Sequence, residues 1–166
     1  MTERDDVDRI IAAWERERPD LDVSPFALLS RISRLDRYLD RVRRSVFVAN
    51  GVETWEFDVL VALRRSGTPY TLSPGALVTH TMVTSGTMTN RIDRLEARGL
   101  VRRKPSPDDR RGVLVELTDA GRELVDQALT QLLDIEHRVV AALTPEQRAA
   151  GADILRTLTH QFDNLA

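Results

Sequence analysis

The chain has 166 residues, 24 of them basic and 26 acidic, a formal net charge of −2 and no cysteine. That length suits one domain with a sizeable core, and the lack of cysteine excludes disulfides, thiolate metal sites and cysteine redox sensing. No apolar run is long enough for a membrane span and the start, MTERDDVDR, has no secretory pattern, so a cytoplasmic protein is expected. Lys104 is the one lysine among the basic residues. The planar fork of arginine serves phosphate well, although genomic base composition explains so uniform a bias more simply.

Residues 5–18 place Val7, Ile10, Ile11 and Trp14 at i, i+3, i+4 and i+7, the stripe of an amphipathic helix that Pro19 and Asp20 end. So short a helix is marginal alone and has to dock on something. A second helix is expected from Ser24 as N-cap, with Pro25 at the first helical position, to Gly51 as C-cap. Its residues Leu28, Ile32, Leu35, Leu39, Val42 and Val46 alternate spacings of four and three, a coiled-coil-like seam. The opposite face, charged from Arg31 to Arg44, reads as solvated.

Thr54 is read as the cap of a third helix, 55–65, with Trp55, Val59, Leu60 and Leu63 inward, Asp58 among apolar neighbours, and Gly67 at its end. Residues 69–72 form a short extended segment. Ser73-Pro74 repeats the cap pattern and opens a helix to about His80; Met82-Val83-Thr84 is a turn, and 85–98 a further helix, together a helix-turn-helix.

That last helix organises the chain. Met88, Ile92 and Leu95 give it one apolar face, while its exposed surface is small, polar and cationic. Such a surface suits the DNA major groove: Ser85, Thr87, Thr89 and Asn90 are expected at base edges, Thr84 and Arg94 at phosphate. A basic hairpin follows, with strands at 100–104 and 112–117 around the turn PSPDDRR, and Val113, Val115 and Leu117 in alternation. Arg110 or Arg111 at its tip is expected in the minor groove, where negative potential is concentrated. From Thr84 to Arg111 eight cationic side chains stand against four acidic ones, net +4 in a chain of net −2. That is the local charge phosphate binding requires.

Thr118 caps a long helix through Gly121, Leu124, Val125, Ala128, Leu132, Ile135 and Val139. Thr144-Pro145-Glu146-Gln147 is a capping box opening a last helix with Ile154, Leu155, Leu158 and Phe162. Seams this long would leave apolar patches on a monomer. The fold expected is mainly α with a small β-hairpin wing: a winged helix-turn-helix with N- and C-terminal dimerisation helices. A two-fold homodimer sets two reading helices ~34 Å apart, which calls for a palindromic site in double-stranded DNA.

No catalytic, metal or cofactor motif stands out. His80, His137 and His160 have no zinc-like spacing, and there is neither a nucleophile elbow nor a phosphate-cradling glycine loop. Asp108 and Asp109 sit in a turn, where they brace neighbouring arginines. The expectation is a protein that is not an enzyme and carries no cofactor.

The stretch SGTMTNRIDRLEARGLVRRKPSPDDRRGVLVELTDAGREL resembles the core of MarR-family transcriptional regulators, including the wing Asp-Asp-Arg-Arg followed by Leu117-Thr118 and Gly121. The Trp14 helix and the EFDVL segment at 56–60 resemble the urate-responsive branch of that family. The resemblance implies a repressor, autoregulated and released from DNA by a small planar anion: urate, a related purine or an aromatic acid. It further implies that Trp14, Asp58, Arg91 and Arg103 bind this effector. The Asn that some members carry after the Trp has no counterpart here, Pro19 and Asp20 occupying its place. The organisation expected is a single domain, 1–166, with N-terminal helices for dimerisation and the ligand pocket (1–50), a DNA-binding lobe (53–117) and C-terminal dimerisation helices (118–166). Three alternatives stay open: Trp14 as plain packing, Asp58–Arg91 as a structural ion pair, and a constitutive winged-helix protein without a ligand.

Overall fold

The computed structural model describes residues 4–107 and 112–163; Asp108, Asp109, Arg110 and Arg111, and the side chains of Phe162 and Asp163, lie outside the described residues. The elements run α1 (Asp6–Glu17), α2 (Phe26–Ala49), α3 (Thr54–Arg65), β1 (Thr71–Leu72), α4 (Pro74–Thr81), α5 (Ser85–Ala97), β2 (Val101–Pro105), β3 (Val113–Leu117), α6 (Asp119–Val140) and α7 (Pro145–Asp163). The architecture is mostly helical with a small antiparallel sheet, a winged helix, as the sequence implied.

The core lies in the central lobe. Val59, Leu60 and Leu63 of α3 meet Leu77 of α4, Met88, Ile92 and Leu95 of α5, and Val115 of β3, all essentially inaccessible to water. Each such side chain contributes roughly 1.5–3 kcal/mol by its burial, so the face of α5 opposite this stripe is fixed in its outward orientation. Ser73 and Thr84 cap α4 and α5 through hydrogen bonds from the N–H of Ala76 and Thr87. Met82, in the left-handed conformation at φ 51°, makes the turn between them.

Three local expectations are corrected. Ser24 is not the cap of α2: its own N–H donates to the Asp22 carboxylate at 2.9 Å, Pro25 takes the cap position and the helix starts at Phe26. Thr54 is not the cap of α3 but its first residue. Glu53 precedes it, its N–H donating to the Glu56 carboxylate at 2.9 Å, a reciprocal box that outcompetes a lone hydroxyl. The wing is not a bare hairpin but a three-stranded sheet in the order β1-β3-β2, with Thr71 opposite Glu116 and Leu72 opposite Val115. Two residues carry too little periodicity to announce a strand. Val113 is exposed although Val115 and Leu117 point inward, because the strand outruns the core towards the wing tip.

The ends of the chain are less covered. Asp5 caps α1 and Val7 is buried, and α1 is clasped to α2 by Arg31 with Asp5 and Asp8 (2.9 and 2.7 Å) and by Arg34 with Asp6 (2.6 Å). Only Val46 and Phe47 of α2 are buried; Leu28 and Leu35 of its seam, and Ile154 and Leu155 of α7, remain about half exposed. Thr118 caps α6, and the Thr144–Gln147 box opens α7 through reciprocal bonds of 2.9 and 3.3 Å.

Candidate nucleic-acid interface and effector site

Ser85, Thr87, Thr89 and Asn90 all lie on the exposed side of α5. Thr84 Oγ1 accepts from the Thr87 N–H at 3.3 Å and lies 2.9 Å from the Thr87 hydroxyl, while the Thr89 hydroxyl donates back to the Ser85 carbonyl at 3.1 Å. Ser85 and Asn90 have no side-chain hydrogen bond of this kind among the described residues, which leaves their donors and acceptors for a partner. Small side chains here let a base edge approach the helix closely.

Except for Arg91, the cations around α5 are held by acids. The Arg94 guanidinium lies 3.0 Å from Glu53 and 4.6 Å above the Trp55 ring; Arg91 lies over the same ring at 5.6 Å. Trp55 donates its indole N–H to Glu53 at 2.6 Å. Arg98, at the C-cap of α5, pairs with the buried Glu56 at 2.5 Å and donates to the Gly51 carbonyl at 3.0 Å. Arg103 pairs with Asp93 above all and with Glu96, which raises its proton affinity, and its backbone N–H donates to Glu96 at 2.9 Å, fastening β2 to α5. Arg102 and Lys104 both pair with Glu116 on β3.

Glu53, Trp55 and Glu56 were thus missed as residues of this face. The Glu53/Glu56 spacing of a capping box is the one sequence signal that pointed there. Trp55 is partly buried against the core, as expected, and its open side walls a groove of about 490 Å³ together with Gly86, Thr87, Asn90, Arg91 and Arg94. A surface that combines an aromatic face, two guanidiniums and an amide accepts flat anionic groups, a phosphate edge among them.

The four residues implied for the effector are brought together only in part. Asp58 is within electrostatic reach of Arg91 and also of Arg43, without a contact ion pair to either. Trp14 sits on α1, which packs on α2, and is half exposed; the groove at Arg91 has Trp55, not Trp14, as its indole. Arg103 is engaged by Asp93 and Glu96.

Asp58 keeps part of its surface open, yet the loss of water around it pushes its carboxyl above the usual range, with Arg91 and Arg43 pulling the other way. A carboxyl that binds its proton more tightly when folded gains stability as pH falls through its folded pKa. It penalises the fold once ionised, above that value. Asp58→Asn is therefore expected to raise the melting temperature at pH 7 and to flatten the stability profile just above the ordinary Asp range. Thermal melts from pH 4 to 7 read this; a lower melting temperature at pH 7 would show that the arginines outweigh the desolvation.

The family model described as "MarR family" matches residues 50–112, which span α3 to the wing. The HTH-type transcriptional regulator PecS of Dickeya dadantii is 37% identical over 143 residues, 86% of either chain. The chain belongs to the MarR family. Its relatives are transcriptional regulators, and this member is a DNA-binding transcription regulator of the winged-helix type. Two solved MarR-type structures resemble it closely enough to bear on its site. One is a MarR mutant of Escherichia coli complexed with operator DNA, 27% identical, TM-score 0.67, covering 83% of this chain and 99% of that one. The other is BpsR of Bordetella bronchiseptica, described in terms of regulation of its DNA binding by 6-hydroxynicotinic acid. It is 30% identical, TM-score 0.59, covering 78% and 98%. Among the described residues of this MarR-family chain, no helix is long and apolar enough to cross a membrane.

Proposed function

We propose that this MarR-family regulator is a cytoplasmic repressor that binds a palindromic operator as a homodimer and is released by a small planar anionic effector. The observation that carries the reading is α5: its apolar stripe is locked into the core while Ser85, Thr87, Thr89 and Asn90 are displayed outward beside Arg91 and Arg94. The operator-bound relative supports duplex DNA as the partner of that surface, and Arg110 or Arg111 is the residue proposed for the minor groove. Residues 53–117 form the DNA-binding lobe. The half-exposed apolar faces of α2 and α7 support 1–50 and 118–166 as the dimerisation parts, since a second copy would remove those faces from water.

The effector is urate or a related purine or aromatic acid. Its site centres on Arg91 and Asp58, with Trp14 and Arg103 contributing. The BpsR relative, regulated by a planar acid, supports the chemical class. The guanidinium supplies a fixed donor fork for the anionic edge, and Asp58 acts by repulsion. An anion seated there draws Arg91 and displaces α3 from α5, and the shift passes through Met88 and Ile92 to the reading helix. The ligand moves the equilibrium only by its differential affinity for the two shapes, ~1–3 kcal/mol, or about 5–150-fold in DNA affinity.

A footprint and a band shift on the duplex upstream of its own gene test this, with urate, xanthine and salicylate titrated in. Expected are a protected palindrome, release by at least one of the three acids, and weak response from Arg91→Ala with DNA binding intact. Tight binding with no release by any of them removes the effector and favours the constitutive winged-helix reading. No protected palindrome removes the autoregulatory operator.

A further inference from the structure

We propose that Glu53 is an acidic gate on the DNA-binding face, holding Arg94 over Trp55 in the free protein and competing with a DNA phosphate for it. The inference rests on the reading of α5 as the DNA-reading helix. It concerns a residue outside α5 and the wing, at the N-terminus of α3.

Both oxygens of the Glu53 carboxylate are in use: Oε2 accepts from the Trp55 indole N–H at 2.6 Å and Oε1 from Arg94 Nη2 at 3.0 Å. The guanidinium lies over the indole face, 4.6 Å from its centre, and reaches this carboxylate at the ring's N–H edge, a cation–π arrangement that fixes its direction. Arg91 lies over the same ring, so the indole is a shared platform for the two cations of the groove.

The pair is also built to exchange. Glu53 and Arg94 are 60% and 54% exposed, so water screens their attraction and the lock is weak. Protonation does not open it at neutral pH. The Trp55 hydrogen bond above all, and then the Arg94 and Arg98 charges, hold the Glu53 carboxyl below its usual range. A phosphate that reaches Arg94 therefore meets a permanent negative charge already on that cation. Either the guanidinium leaves Glu53, or two anions share it. This cost is paid by every duplex alike, whereas base contacts from Ser85 and Asn90 return something only at the right sequence. Glu53 thus lowers the sequence-independent phosphate term for every duplex, and only the operator has base contacts to offset it.

Glu53→Gln keeps an acceptor for the indole N–H and removes the charge. The test measures affinity by fluorescence anisotropy across a salt series, with the full chain, a scrambled duplex and the duplex upstream of its own gene. Glu53→Gln is expected to bind the scrambled duplex about 3- to 5-fold more tightly at low salt. Its log–log salt slope should steepen by up to about one, with an unchanged melting temperature. In an Arg94→Ala background the same substitution should gain little, because the cation it gates is gone. A gain that persists without Arg94 would overturn the gate in favour of diffuse charge. Unchanged or weaker binding by Glu53→Gln, with Arg94→Ala still impaired, would overturn it while leaving α5 as the reading helix. Failure of the unmodified chain to bind either duplex would remove both.

Discussion

Gly121→Ala is expected to cost about 3 kcal/mol or more of stability, the upper end of what overpacking does. A Cβ at this position would stand 2.1 Å from the Leu100 carbonyl oxygen and 2.9 Å from Leu117 Cδ1. The carbonyl has no room to retreat, because it already accepts from the Thr118 N–H at 3.1 Å and shares the Thr118 hydroxyl, 3.0 Å away, with the Gly99 carbonyl at 2.8 Å. These bonds join the end of α5, the root of β2 and the cap of α6 in one place. A methyl group there must either break the Thr118 cap or lift α6 off the wing. At roughly 2–4 °C per kcal/mol for a chain of this size, the melting temperature should fall by about 10 °C. Gly86→Ala is the control, since a Cβ at Gly86 meets nothing within 4 Å and a helical Gly→Ala change stabilises by up to ~1 kcal/mol. Thermal melts of the two variants side by side give the answer. A Gly121→Ala melt within a couple of degrees of the parent would mean that α6 is seated more loosely than the close approach indicates.

The second large effect is expected from Arg98→Ala. Glu56 is only 2% exposed, and its carboxylate is held by Arg98 and by the Glu53 N–H. Removing one partner of a buried pair typically costs 3–5 kcal/mol, because the remaining charge stays out of water. Arg98 itself is 40% exposed, so its loss lets some water in, and about 3 kcal/mol is the expected figure. The effect should reach DNA affinity as well, since this pair ties the C-terminal end of α5 to the N-terminal end of α3. Adding Glu56→Gln to Arg98→Ala should recover part of the loss, for the amide oxygen still accepts from Glu53 and no charge is stranded. Urea unfolding of the two single variants and the double variant closes the cycle. A cost below about 1 kcal/mol for Arg98→Ala would indicate that water solvates Glu56 as well as arginine does.

Both variants act on contacts that no local pattern announces, whereas much else in this protein is local. Ser73 before Pro74, Thr118 and the Thr144–Gln147 box each act as the sequence implied. A cap is settled within three residues. The stripe of Met88, Ile92 and Leu95 likewise faces the core, since a helix fixes which residues share a side once its period is set. The order of helix-turn-helix, basic hairpin and long capped helix was therefore enough for the fold class, whereas the family rested on the resemblance carried by residues 85–124.

The tertiary structure alone decided what the charged residues do. Arg94 meets Glu53 across 41 positions of chain and Arg98 meets Glu56 across 42, and Arg103 turns to Asp93 and Glu96. It also set the open side of the partly buried Trp55 against Arg91 and Arg94, paired β1 with β3, and docked the Trp14 helix on α2. Periodicity says which face of a helix is apolar. It does not say which neighbour a long, flexible, always-charged arginine will reach, because that depends on where other helix termini lie after the core has closed.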